Sequence, residues 1–120
     1  MNPNCSIEVL QDVLVIRVAS RTQLGDILDI IDEASAIQHY ARRLWVVSGG
    51  LNLSPEQIDE VAKHGRNRWP APSRVAYVGP ADLTFGIMRM LEVYTERDGF
   101  DTRVFREERD ALAWLHGCGD

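Results

Sequence analysis

Apolar positions fall along the chain in short dense runs separated by stretches in which they recur every three or four residues. Residues 6–10 and 13–19 are apolar, β-branched runs split by Gln11-Asp12. That spacing predicts a β-hairpin, although the turn carries no glycine. Ile7 and Val9 alternate with polar neighbours, as expected of an edge strand with one wet face, whereas VLVIRV is denser and belongs further inside a sheet. Arg42 and Arg43 lead into LWVV, a continuous run of the buried type, and VAYVG and TRVF supply two more strands.

The intervening stretches have helical spacing. Thr22 can cap a helix running to about Tyr40, with Leu24, Ile27, Leu28, Ile31 and Ala34 on the core face. Asp26, Asp29 and Glu33 occupy the other side, and Ile30 and Ile37 fall off the core stripe. Ser54-Pro55-Glu56-Gln57 is a capping box with proline at the first helical position, and Leu53 and Ile58 can form its hydrophobic staple. This helix should bury Ile58, Val61, Ala62 and Trp69, and stop at Trp69 because Pro70 follows. In a third helix over 81–98, Leu83, Ile87, Met90, Leu91 and Tyr94 share one face, and Asp98-Gly99 supplies the stop. A short last helix over 107–115 places Ala111, Trp114 and Leu115 on the sheet, with Gly117 at its end. The order β-β-α-β-α-β-α-β-α defines a single α/β domain over residues 1–120. Its mixed five-stranded sheet is an N-terminal hairpin followed by βαβαβα, with helices packed against it. Strand order stays open, since the sequence constrains only the hand of each crossover.

YVGPADLTFGIMRMLEVY followed by RVFREERDALAWL resembles the C-terminal half of the SpoIIAA-like proteins of the STAS/SEC14-type superfamily. The pieces that carry the resemblance are the small turn after the strand, the long helix centred on FGIMRM, and the closing RVFRE…ALAWL. The N-terminal half matches in the order of its elements. The resemblance implies a small α/β domain that binds something and is not an enzyme; its SEC14-like side suggests lipid. STAS relatives that act as anti-sigma-factor antagonists carry a phosphorylatable serine in a DSSG-like motif. Ser54 lies at the matching helix start and Ser48 at the strand end, but the acidic residue and the Ser-Gly pair are missing.

A length of 120 residues allows one core, and the apolar and charged fractions are those of a globular protein. A formal charge of −5 argues against a nucleic-acid surface. No apolar run is long enough to span a bilayer, and MNPNCSIEV does not read as a signal peptide, so the expected location is the cytoplasm. Cys5 and Cys118 lack a CxxC or histidine partner, which predicts no metal site and no disulfide; no cofactor motif is present.

Ligands of open α/β sheets favour loops at the carboxyl ends of parallel strands, here Ser20-Arg21, residues 48–54, residues 79–82 and Arg106-Glu107. Ser48, Gly49, Gly50 and Ser54 are the candidate anion or phosphorylation site, because backbone N–H groups and a helix dipole converge at such a helix start. An ordinary turn with a capped helix accounts for the same residues. His64 follows Glu60 by four residues and can pair with it on the helix surface. Arg66, Arg68, His64 and Trp69 could together meet an anionic group, and His39 and His116 lie near helix ends. Phe85 and Met88, beside Arg89 and Glu92, project away from the expected core face, as do Ile30 and Ile37. If adjacent in space, these two pairs would form a partner surface. A neighbouring loop such as WPAPS covering Phe85 is the alternative.

The leading expectation is a non-enzymatic binding or regulatory module, its partner another protein, a second copy of itself, or a small apolar or lipid-like ligand. The alternative is a phosphoregulated switch at Ser54. A third is a small hydrolase using Ser48 or Ser54 with His64, although no GxSxG elbow is present.

Overall fold

The computed structural model describes residues 5–18, 23–37, 41–48, 53–69, 73–79, 82–96 and 100–117, apart from the side chains of residues 82 and 83. In chain order the elements are β1 (Cys5–Leu10), β2 (Val13–Val18), α1 (Leu24–Ile37), β3 (Arg42–Val47), α2 (Pro55–Arg68), β4 (Ser73–Val78), α3 (Asp82–Glu96), β5 (Phe100–Phe105) and α4 (Glu108–Leu115). This is the α/β order that the patterning predicts. The sheet runs β1-β2-β3-β4-β5, antiparallel between β1 and β2 and parallel thereafter. The expected caps at Thr22 and Asp98-Gly99, together with His39 and Cys118, lie outside the described residues.

Gln11 and Asp12 close the hairpin with φ of 48° and 68°. Two left-handed residues in a two-residue loop make the type I′ geometry, whose twist matches that of the flanking strands. The turn therefore forms without the glycine that would relieve it.

The pleat sends alternate residues to two differently covered faces. Leu14, Ile16, Trp45, Tyr77 and Val104 pack with α1, α2 and α3 in the larger core. Val13, Val15, Leu44, Ala76 and Val78 pack with Ala111, Trp114 and Leu115 of α4. Strands β2 to β4 are buried on both sides, which is why they read as unbroken apolar runs. On the α4 face Arg17 pairs with Glu108. Nearby, the Arg74 guanidinium lies 4.4 Å from the centre of the Trp114 ring and donates to the Trp114 carbonyl at 2.9 Å.

Two helices are rotated from the expected phase. In α1, Ile30 is fully buried beside Ile27 and Ile31, and only Ile37 points out. In α3 the buried stripe is Thr84, Met88, Leu91 and Thr95, so Met90 is exposed. Thr95 can be buried because its hydroxyl meets Thr102 Oγ1 at 2.9 Å and lies 2.8 Å from the Leu91 carbonyl. Gly79, after β4, allows α3 to approach closely: a Cβ there would stand 2.8 Å from Met88 Sδ and 3.3 Å from the Phe85 nitrogen. Among the described residues, no helix is long and apolar enough to cross a membrane, and no group of side chains could hold a metal ion.

Candidate functional site

The larger core borders a partly open space. A cavity of about 50 Å³ lies above β3 and β4, roofed by α2 and walled by α1 and α3. Helix α2 packs closely on α1 and α3, whereas α3 and α4 are the helices that approach the strands closely. Most of the lining is apolar, including Ile31, Val61, Val75 and Leu91.

One cation stands in this wall. Positions 43, 45 and 47 of β3 share a face, so the alternation that buries Trp45 and Val47 also buries Arg43, to 1% exposure. Its Nη1 donates to Ser73 Oγ at 3.2 Å. The guanidinium carbon lies 4.3 Å from the centre of the Trp69 ring and 5.3 Å from that of Phe100. Trp69 ends α2 in extended conformation, with φ −119° and ψ 138°, as required before Pro70. Its ring is buried, and Nε1 has no hydrogen-bond acceptor among the described residues.

Electrostatics at this end follow from burial. Loss of water pushes Arg43 down to about 10, opposed by Tyr77. Burial likewise pushes the Tyr77 hydroxyl up to about 12, against the pull of Arg43. In each group desolvation outweighs the neighbour, as expected in an apolar pocket. No carboxylate is among the described residues that line the cavity. The chemistry offered is recognition, with donors at one end and an oily wall along the rest.

The residues singled out from the sequence are not gathered at this cavity. Ser54 makes the expected capping box: its Oγ accepts from Gln57 N at 3.2 Å, and its own N–H donates to Gln57 Oε1 at 2.9 Å. Ser48 is exposed and its hydroxyl donates to the Val18 carbonyl at 3.3 Å. Gly49 and Gly50 lie outside the described residues. His64 meets Asp32 of α1 at 2.8 Å, not Glu60, and Arg68 Nε donates to the same Asp32 oxygen at 2.7 Å. Trp69 has turned inward, away from that charged group. His116 caps α4 at its C-terminal end.

The expected partner surface is not assembled. Ile30 and Met88 are core residues, at 0% and 1% exposure. Phe85 is half-buried, with the Arg106 guanidinium 4.1 Å from its ring centre, and Arg89 pairs with Glu92 at 3.6 Å. Ile37 alone of the five is an exposed apolar side chain.

From the sequence, Arg43 stands as a lead-in to its strand and not as a site residue. The signal that could have found it is its spacing, two and four residues before Trp45 and Val47, which assigns it to their face. It also lies at the amino ends of the parallel strands, beside the first residues of β4 and β5, opposite to the loops expected to hold a ligand.

No family model matches the chain. It is 32% identical over 91 residues to the 2-succinylbenzoate--CoA ligase of Staphylococcus epidermidis strain ATCC 35984, a match covering 76% of this chain and 18% of the ligase. The ligase of the same name from strain ATCC 12228 is 34% identical over 76 residues, 63% of this chain and 15% of that protein. The chain thus spans less than a fifth of the length of the curated relatives it matches.

Proposed function

We propose that this chain is a non-enzymatic binding module of the SpoIIAA-like type, and that it carries a small, partly apolar ligand between α2 and the sheet. The cavity above β3 and β4 carries this reading. Protein interiors close-pack and leave few voids larger than a water molecule. An apolar space with polar groups at one end is the usual form of a small-molecule site. Its size suits a compact ligand and not a long lipid chain.

The similarity to 2-succinylbenzoate--CoA ligases covers too little of those proteins to carry their reaction to this chain. The Ser54 switch has less support, because the hydroxyl that phosphate would occupy already accepts the Gln57 N–H.

Native mass spectrometry of protein purified from its own organism tests the reading. A retained small mass, lost on denaturation, is the expected result. Protein that emerges bare, and whose melting temperature is unmoved by a panel of small amphipathic molecules, overturns it.

A further inference from the structure

Resting on the ligand-carrying reading above, we propose that the ligand is a short-chain monocarboxylate. Its carboxylate would lie at the Arg43 guanidinium and the Trp69 indole N–H, and its alkyl tail along the apolar wall. Both groups are donors only, so whatever binds there must bring acceptors. The Trp69 Nε1–H is the more telling of the two: it is buried, beside a cavity, with no acceptor among the described residues. Among the described residues nothing answers this indole N–H, and an acceptor that entered the space would supply its hydrogen bond.

Charge selects among acceptors. Burial holds Arg43 below its ordinary pKa, the direction expected where a cation is kept from water, and Arg43 itself lines the cavity. An anion offsets that loss of water where a neutral carbonyl or ether would not. The planar guanidinium fork matches a carboxylate in shape as well as charge. A phosphate would bring four oxygens and up to two charges to a single cation in a lining that is mostly apolar.

Volume sets the length. A water needs roughly 10–15 Å³ of such space, so 50 Å³ accommodates about three to five heavy atoms. Acetate and propionate fall in that range, and butyrate, one heavy atom larger, lies just beyond it.

The test is isothermal titration calorimetry of the full chain with acetate, propionate and butyrate, using propanol as the uncharged probe. Wild-type protein should bind propionate at least about tenfold more tightly than propanol, as a charge-assisted hydrogen bond implies. Arg43→Met should abolish that preference. Trp69→Phe, which keeps a ring but removes the N–H, should weaken propionate by about threefold to tenfold and propanol by less, since its acceptor carries no charge. Should Arg43→Met fail to fold, the wild-type comparison and Trp69→Phe decide. Equal affinity for propionate and propanol would overturn the carboxylate assignment while leaving the ligand-carrying reading intact. Binding of neither also overturns the assignment, and the native mass measurement then settles the broader reading separately.

Discussion

The Arg43 guanidinium lies against the Trp69 ring, 4.3 Å from its centre, and so joins the second residue of β3 to the residue that ends α2. A buried cation is an expensive way to join two elements, because the aromatic face returns only part of the lost hydration.

Replacing charge while keeping bulk should therefore cost little. Arg43→Met is expected to stay within about 1 kcal/mol of wild type or to exceed it, whereas Arg43→Ala should lose about 2 kcal/mol or more by enlarging the cavity. Urea denaturation of both variants checks this. Equal, large losses would show that the guanidinium itself stabilises the core.

Ser54→Ala should cost about 1 kcal/mol, since it removes the acceptor of the Gln57 N–H. Ser54→Asp keeps a good cap and should hold the wild-type midpoint. Phosphosite mapping on native protein runs beside this test: modification at Ser54 would restore the switch reading.

Trp114 is 4% exposed between the Arg74 guanidinium and the Phe105 ring. Trp114→Ala should destabilise the domain by about 3–5 kcal/mol. An unchanged denaturation midpoint would mean that α4 contributes nothing to the core on its face of the sheet.

Asp32 links α1 to α2. The Arg68 hydrogen bond, and after it His64, hold its carboxyl below the usual aspartate range. A depressed carboxylate adds stability above its unfolded pKa, near ~4, and loses that contribution as pH falls through the lower folded value. Asp32→Asn should thus be less stable than wild type at neutral pH, and the gap should close below about pH 4. A gap that persists unchanged into acid would exclude the ion pair as its source.

The elements were legible because their signals are local. The capping box at Ser54, the stop before Pro70 and the dense apolar runs each depend on a few adjacent residues. What the sequence hid depends on distant ones. The phase of α3 was missed because Leu83, Ile87, Met90, Leu91 and Tyr94 make a plausible stripe, while threonine is an unpromising core residue. Thr95 becomes one only when Thr102, on the next strand, meets its hydroxyl. Arg43 was missed for the same reason. Trp69 and Phe100, which make its burial tolerable, come from different elements far along the chain.

The hairpin turn shows how local chemistry can be correct and still suboptimal. Gln11 and Asp12 both hold positive φ, which asparagine and glycine adopt more readily. Replacing the pair by Asn-Gly should raise stability by about 0.5–1 kcal/mol, read from the denaturation midpoint. No gain would indicate that the turn is held by the strands and not by its own residues.

The sheet order β1-β2-β3-β4-β5 bears on how the molecule is built as well as on how it stands. During synthesis each emerging strand finds its neighbour already made, so the sheet can grow from the hairpin outward without prising two strands apart. Every parallel pairing closes a loop that holds a single helix, which keeps sequence separations short for a parallel sheet and favours rapid assembly. Of the described elements α4 emerges last, and it covers the opposite face once β5 has docked. Until then that face is open apolar surface, and it is where a half-made chain would be most exposed to aggregation.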